Sequence, residues 1–198
     1  MKNTATPHVE NVSQIKHRAN AEKIKSALAQ SLHDLFLDEL KNAYWSEKAL
    51  FVVIPKMIRQ TTSPQLNAVL TGHLAIIEEH ITRLEEVFNS VNEKAKSDRC
   101  EAIEGLIKEG TQIMERTEKG KVRDAGIISI ALKVEHYEIA TYGILYFFAK
   151  TLGEIDAASL LHETLEQEKQ ANEKLSGVIE SMQLEIADSS HAINHSIL

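Results

Sequence analysis

The sequence predicts an all-α protein: four long amphipathic helices in two antiparallel hairpins, joined by a long crossover that carries a short helix of its own. Three observations lead there. Only three prolines and eight glycines interrupt the 198 residues, so long elements are permitted. Apolar residues return every three or four positions through four separate stretches, the period of a helix that buries one face. The links between these stretches are unequal, two of them short and the middle one nearly 30 residues long.

Residues 1–30 read as a polar arm in which Asn20 caps a short helix from Ala21 to about Leu28. The first long helix spans about 31–60, with Leu32, Phe36, Leu40, Ala43, Leu50, Ile54 and Ile58 on one stripe and Pro55 as a potential kink. Thr61-Thr62-Ser63-Pro64 breaks it and starts the next, Ser63 as N-cap and Pro64 in the first turn. The second helix runs to about Val91 along Leu66, Leu70, His73, Ile77, His80, Leu84 and Val87. Asp98, with Glu101 three residues on, resembles a capping box for a shorter helix through about Arg116, and Gly120 closes that section. The third long helix, about 121–152, points Ile128, Ala131, Tyr142, Leu145 and Ala149 inward and ends at Gly153. The fourth follows from 154 to about 186 along Ala157, Leu161, Thr164, Leu165, Leu175, Val178 and Met182, and residues 187–198 read as a frayed tail.

The unequal links set the topology. A helix of about 30 residues is roughly 45 Å long, and an intervening helix of about 18 residues covers roughly 27 Å, so with its flanks it can return the chain to the far end of a bundle. Two hairpins and one long crossover make a ferritin-like four-helix bundle; a longer helical array with short turns is the alternative.

Composition narrows the function. The net charge is −7 and no helix face is dominated by Lys or Arg, which argues against binding to a nucleic acid backbone. No apolar run is long enough to cross a membrane and the first twenty residues lack a secretory apolar centre, so a cytoplasmic location is expected. The single Cys100 fits a reducing compartment.

The informative residues are the polar ones on the apolar stripes. Glu47, His80, Glu135, Glu138 and Glu168 all fall near the midpoints of their helices, so they should meet at one depth. Carboxylates facing one another in an apolar interior must be protonated, paired or bound to metal. No Lys or Arg on the inner stripes lies at that level, and oxygen with imidazole donors suits iron, manganese or zinc. Tyr44 and Tyr142, one turn away, are placed to hydrogen-bond a ligating carboxylate. A single histidine on an apolar face, such as His73 or His80, is ordinarily a hydrogen-bonded core residue; convergence of the whole set favours a metal centre. Tyr146-Phe147-Phe148, with Phe51 and Trp45, wraps too far around its helices for one stripe, which suggests a homodimer contact or packing by the short helix.

Several motifs resemble the YciE/YciF family of bacterial ferritin-like proteins, often grouped with stress-response proteins. They are Tyr44-Trp45-Ser46-Glu47-Lys48, His73-Leu74 with Arg83-Leu84-Glu85, and Cys100-Glu101-Ala102-Ile103-Glu104-Gly105-Leu106. Further on come Val122-Arg123-Asp124-Ala125, Val134-Glu135-His136-Tyr137-Glu138-Ile139-Ala140 with Tyr142-Gly143, and Thr164-Leu165-Glu166-Gln167-Glu168-Lys169. The resemblance covers about residues 31–180 and implies a ferritin-like bundle, dimerisation and a dinuclear metal site. Ile76, Gln167 and Asn172 stand where such relatives carry acidic residues. Ile77 and Ala171 leave no intact Glu-x-x-His pair at His80 or Glu168, with Glu79 a potential substitute. The expectation is therefore a depleted di-metal centre binding iron or manganese, or zinc, with peroxide or oxygen as a small oxidant. The alternative is a metal-free homodimeric structural protein with a degenerate site.

Overall fold

The computed structural model describes residues 31–195, with side chains through 182; the arm, its short helix and residues 196–198 lie outside the described residues. Among the described residues five helices follow one another: α1 (Leu32–Gln60), α2 (Pro64–Ser90), α3 (Glu101–Arg116), α4 (Lys121–Leu152) and α5 (Ile155–His195). Around the bundle α1 neighbours α2 and α4, α5 neighbours α4 and α2, and α3 lies over α4 and α1. This is the two-hairpin arrangement expected from the link lengths.

Each boundary has a local cause. Ser31 and Asp34 form a reciprocal capping box at the start of α1. Ser63 accepts from the Leu66 N–H and Pro64 needs no N–H in the first turn of α2. The end of α2 passes through Asn92 at φ 59, a left-handed conformation that asparagine tolerates, and the Glu93 N–H returns to the Phe88 carbonyl at 2.9 Å. Gly153, at φ 80, ends α4 in the same way. The α1 helix runs through Pro55 without a break.

Two boundaries differ from expectation. The capping box at Asp98 does not form: α3 begins at Glu101 with Cys100 as a cap without a side-chain bond. The Asp98 N–H instead bonds the Lys41 carbonyl at 3.3 Å, anchoring the crossover to α1. At the other end α5 continues to His195 rather than ending near 186, since no glycine or proline follows Gly177.

The buried pair Arg123–Asp124 ties the start of α4 to the α1–α2 turn. Asp124 accepts from the Thr62 and Ser63 N–H groups (2.8 and 2.9 Å) and the Thr62 hydroxyl (2.6 Å), while Arg123 donates to Gln60 Oε1 at 2.5 Å. Those contacts bring the end of the crossover beside residues 60–63, so the link between α2 and α4 traverses the bundle. Because α3 covers its outer side, α4 is buried on more than one face. Ile127, Ile130 and Val134 are buried in addition to the expected stripe. Gly110 and Gly126 let the two backbones approach, and a methyl at Gly126 would overlap the Ile113 side chain.

The core is divided. One apolar cluster holds Leu50, Ile54, Leu70, Ile77, Ile128, Val134 and Leu175. The other holds Phe36, Leu40, Leu84, Phe88, Tyr142, Leu145 and Leu161. Each bundle helix crosses from one to the other, and at each crossing it places a buried polar residue: Glu47, His80, Glu135 with Glu138, and Glu168.

Candidate metal centre

All five residues singled out in the sequence are buried, none more than 2% exposed, and the structure brings them together. Two groups of potential ligand atoms form, each within 4.8 Å of one another: Glu47, His80 and Glu168 in one, His73, Glu135, Glu138 and Glu168 in the other. Glu168 belongs to both. The arrangement is that of two adjacent cation positions sharing one carboxylate.

His73 is the member that the depth argument left out. It lies seven residues before His80 on the same stripe, about 10 Å along the axis, and midpoint matching favoured His80 alone. Its Nε2 nevertheless comes within 3.5 Å of Glu135 Oε1. The signal was present as a second histidine in phase on α2. The centre extends along the bundle instead of lying in one plane.

His80 is held from both sides. Arg83 donates to Gln167 Oε1 at 2.6 Å, which fixes that amide oxygen as the acceptor for His80 Nε2 at 3.1 Å. Nε2 must then carry the hydrogen, and Nδ1 faces Glu47 Oε1 at 3.2 Å and Glu168 Oε1 at 3.0 Å. The nearer contact, to Glu168, lies off the ring's N–H direction, and only Glu47 receives a hydrogen bond. Cationic His80 therefore donates from Nδ1 to Glu47, and once that proton is lost Nδ1 turns a lone pair toward the centre. Gln167 orients the His80 ring rather than facing the centre itself.

The tyrosines divide. Tyr142 donates to Glu47 Oε1 at 2.5 Å, as expected. Tyr44 does not reach the centre and donates to Glu85 Oε1 at 2.5 Å, holding that carboxylate against the bundle. Glu79 is exposed and stands 3.5 Å from Gln167 Nε2, so it does not substitute for a ligand. Ile76 is half-buried beside His73, and Asn172 turns a buried, unpartnered Oδ1 inward.

Burial and pairing compete in setting the proton affinities. Burial raises Glu135 to about 10, with the Glu168 carboxylate adding to the effect, and it raises Glu138 well above the usual carboxyl range. Burial acts the same way on Glu168, but the close approach of cationic His80, 3.0 Å away, outweighs it and leaves Glu168 below its ordinary value. For His80, burial alone would lower the pKa; Glu47 and Glu168 overcome it and raise it to about 10. His73 lacks such pairing, and burial lowers it. Without metal the centre therefore holds neutral Glu135 and Glu138 and a cationic His80.

That solution leaves many polar atoms unserved. Glu47 Oε2, Glu135 Oε2, both oxygens of Glu138 and Glu168, and both nitrogens of His73 are buried without a hydrogen-bond partner. Each such atom costs about 1–3 kcal/mol. Apart from Asn172 Oδ1, every unserved buried side-chain atom among the described residues belongs to this centre. Once the protons on Glu135, Glu138 and His80 leave, carboxylate oxygen with neutral imidazole is a donor set that suits a divalent transition metal.

Comparison with known proteins agrees with this architecture. Residues 31–187 match the family described as "Domain of unknown function (DUF892)". The chain belongs to this family. It is 43% identical to Protein YciF of Escherichia coli K12 over 147 residues, 74% of this chain and 89% of YciF. The crystal structure of the E. coli stress protein YciF superposes with a TM-score of 0.73 at 42% identity, covering 76% of this chain and 95% of that one. YcfI of Rhodopseudomonas palustris gives a TM-score of 0.72 at 41% identity, covering 74% and 94%. A protein of Xanthomonas campestris, 18% identical, shares the fold with a TM-score of 0.64 over 81% of this chain and 99% of its own.

Among the described residues no helix is long and apolar enough to cross a membrane. Of the aromatic set, Trp45 packs in the α3 side of the core and Tyr146 and Phe148 pack on the second cluster. Phe51 and Phe147 remain 38% and 59% exposed.

Proposed function

We propose that this chain is a dinuclear metal protein, with Glu47, His80 and Glu168 holding one ion and His73, Glu135, Glu138 and Glu168 the other. The observation that carries the reading is the concentration of unpartnered buried carboxylate and imidazole atoms in two groups that share Glu168. Two divalent ions would neutralise the four carboxylates, which protons and His80 do only in part. Iron or manganese suits the carboxylate-rich donor set best, with zinc a weaker match; a redox-active ion there would supply electron transfer to a small oxidant such as peroxide or oxygen. The protein's own part is to exclude water, orient His80 through Gln167 and Arg83, and hold Glu47 through Tyr142. The likeness to the E. coli stress protein YciF supports a role in a stress response, and the single Cys100 fits the reducing setting of the cytoplasm. Exposed Phe51 and Phe147 support assembly as a homodimer, which light scattering would test.

Elemental analysis after expression with iron, manganese or zinc tests the metal reading. About two ions per chain are expected, with Glu168→Ala losing both and Glu47→Ala losing one. Occupancy well below one ion per chain under all three conditions would overturn it and leave a metal-free structural protein.

A further inference from the structure

The candidate centre has an apolar neighbour. A cavity of about 30 Å³ lies among α1, α2, α3 and α4, and the side chains of His73 and Glu135 form part of its wall. Because about 10–15 Å³ suffices for one water, the space has room for about two waters or one diatomic molecule. Its outer end lies where α3 covers α1, beside half-buried Val53, Ile107 and Met114 and exposed Thr111.

The walls decide which occupant is favoured. Leu50, Ile54, Leu70, Ile130 and Val134 present hydrocarbon, and the Thr111 hydroxyl is already committed to the Ile107 carbonyl at 2.9 Å. Both His73 nitrogens and Glu135 Oε2 are buried without a hydrogen-bond partner, so these two side chains turn mainly carbon toward the cavity. Water or peroxide would give up bulk hydrogen bonds on entry and find few polar partners in return, whereas a buried water ordinarily keeps two to four. An uncharged apolar diatomic gives up no such bonds and gains contact with the walls. Size and wall chemistry therefore select the same occupant, and only the His73 and Glu135 side chains separate it from the second group of ligand atoms.

We propose that this cavity binds dioxygen, which enters between α1 and α3 and is held behind His73 and Glu135 on its way to the metal centre. The route rests on the metal reading; the dioxygen site does not.

The test uses dioxygen itself, a paramagnetic molecule that relaxes the nuclei beside it. Metal-free protein carrying ¹³C-methyl groups on Ile, Leu and Val is compared under pressurised dioxygen and under nitrogen at the same pressure. The methyls of Leu50, Ile54, Leu70, Ile130 and Val134 should relax several-fold more than those of Leu84, Leu145 and Leu161, which are comparably buried in the other apolar cluster. Ala131→Val fills the cavity from α4 and Val53→Phe fills it from the half-exposed rim. Either variant, once shown to be folded by its urea transition, should bring the enhancement down to that of the comparison methyls. In protein loaded anaerobically with iron(II), oxidation by dioxygen should slow several-fold in the filled variants at unchanged iron content. Selective relaxation in protein that fails to load iron supports the dioxygen site and overturns the metal reading. Enhancement no greater around the cavity than at Leu145 and Leu161, or unchanged by filling, overturns the dioxygen site. Equal oxidation rates in wild type and filled variants overturn the route.

Discussion

Raising the pH should destabilise the metal-free protein across the neutral range, and Glu135→Gln should remove part of that effect. Glu135 is raised to about 10 in the fold against an ordinary value of 4.5. Between those values the native state keeps a proton that the unfolded chain has released, so stability falls as pH rises. The slope for one such carboxyl is about 1.4 kcal/mol per pH unit, or about 3 kcal/mol from pH 5.5 to 7.5. Glu138 acts in the same direction, since its pKa is also raised. His80, raised from 6.5 to about 10, contributes stability that is complete below 6.5 and is lost as pH climbs toward 10. Glu168 works oppositely, since its lowered pKa gives stability present above 4.5 and lost in acid, outside this window. The total is a sizeable part of the 5–15 kcal/mol typical of a domain, roughly. Urea unfolding in chelator at pH 5.5, 6.5, 7.5 and 8.5 measures it, using about one-unit steps to resolve the slope. Glu135→Gln keeps the shape and does not titrate, so its slope should be shallower than wild type by about 1.4 kcal/mol per unit. Equal wild-type stability at both ends of the range, or an unchanged slope in Glu135→Gln, would refute the protonation scheme.

Metal loading should release protons from Glu135, Glu138 and His80, about three per chain near neutral pH. Calorimetry in buffers of different ionisation enthalpy counts them, and a count near zero contradicts the scheme. Gln167→Leu removes the acceptor of His80 Nε2 and Arg83; a loss of about 1–3 kcal/mol in chemical denaturation is expected, together with weaker binding at the Glu47–His80–Glu168 position. Asp124→Ala frees the Thr62 and Ser63 N–H groups and should cost about 2–4 kcal/mol, read from the urea midpoint, without changing metal stoichiometry. Gly126→Ala forces α3 away from α4 against Ile113, an overpacking expected to cost about 1–3 kcal/mol by thermal or urea unfolding.

Much of this protein is local, and local features are legible in a sequence. The period of the apolar stripes, the caps at Ser63 and Gly153 and the unequal links define four long helices and a crossover. Glu47, His80, Glu135, Glu138 and Glu168 declared themselves because a charged or titratable side chain on a buried stripe conflicts with its surroundings. Where local signals compete, tertiary contacts decided. Asp98 gave its backbone to Lys41 instead of capping α3, and Tyr44 reached Glu85 rather than the centre.

The composition of the site needed three dimensions. Depth along a helix can be counted from sequence; axial offsets between helices and side-chain reach cannot. That is why His73 joins Glu135 across about two turns, and why Glu168 serves both groups. The same reason changes the meaning of Gln167. In the sequence it looks like a missing glutamate, whereas packing of α2 against α5 makes it the hydrogen-bond acceptor that turns His80 Nδ1 toward the carboxylates. Residue types and periodicity determined that a polar layer would sit inside an apolar bundle. Only the packed structure decided which atoms in that layer face one another.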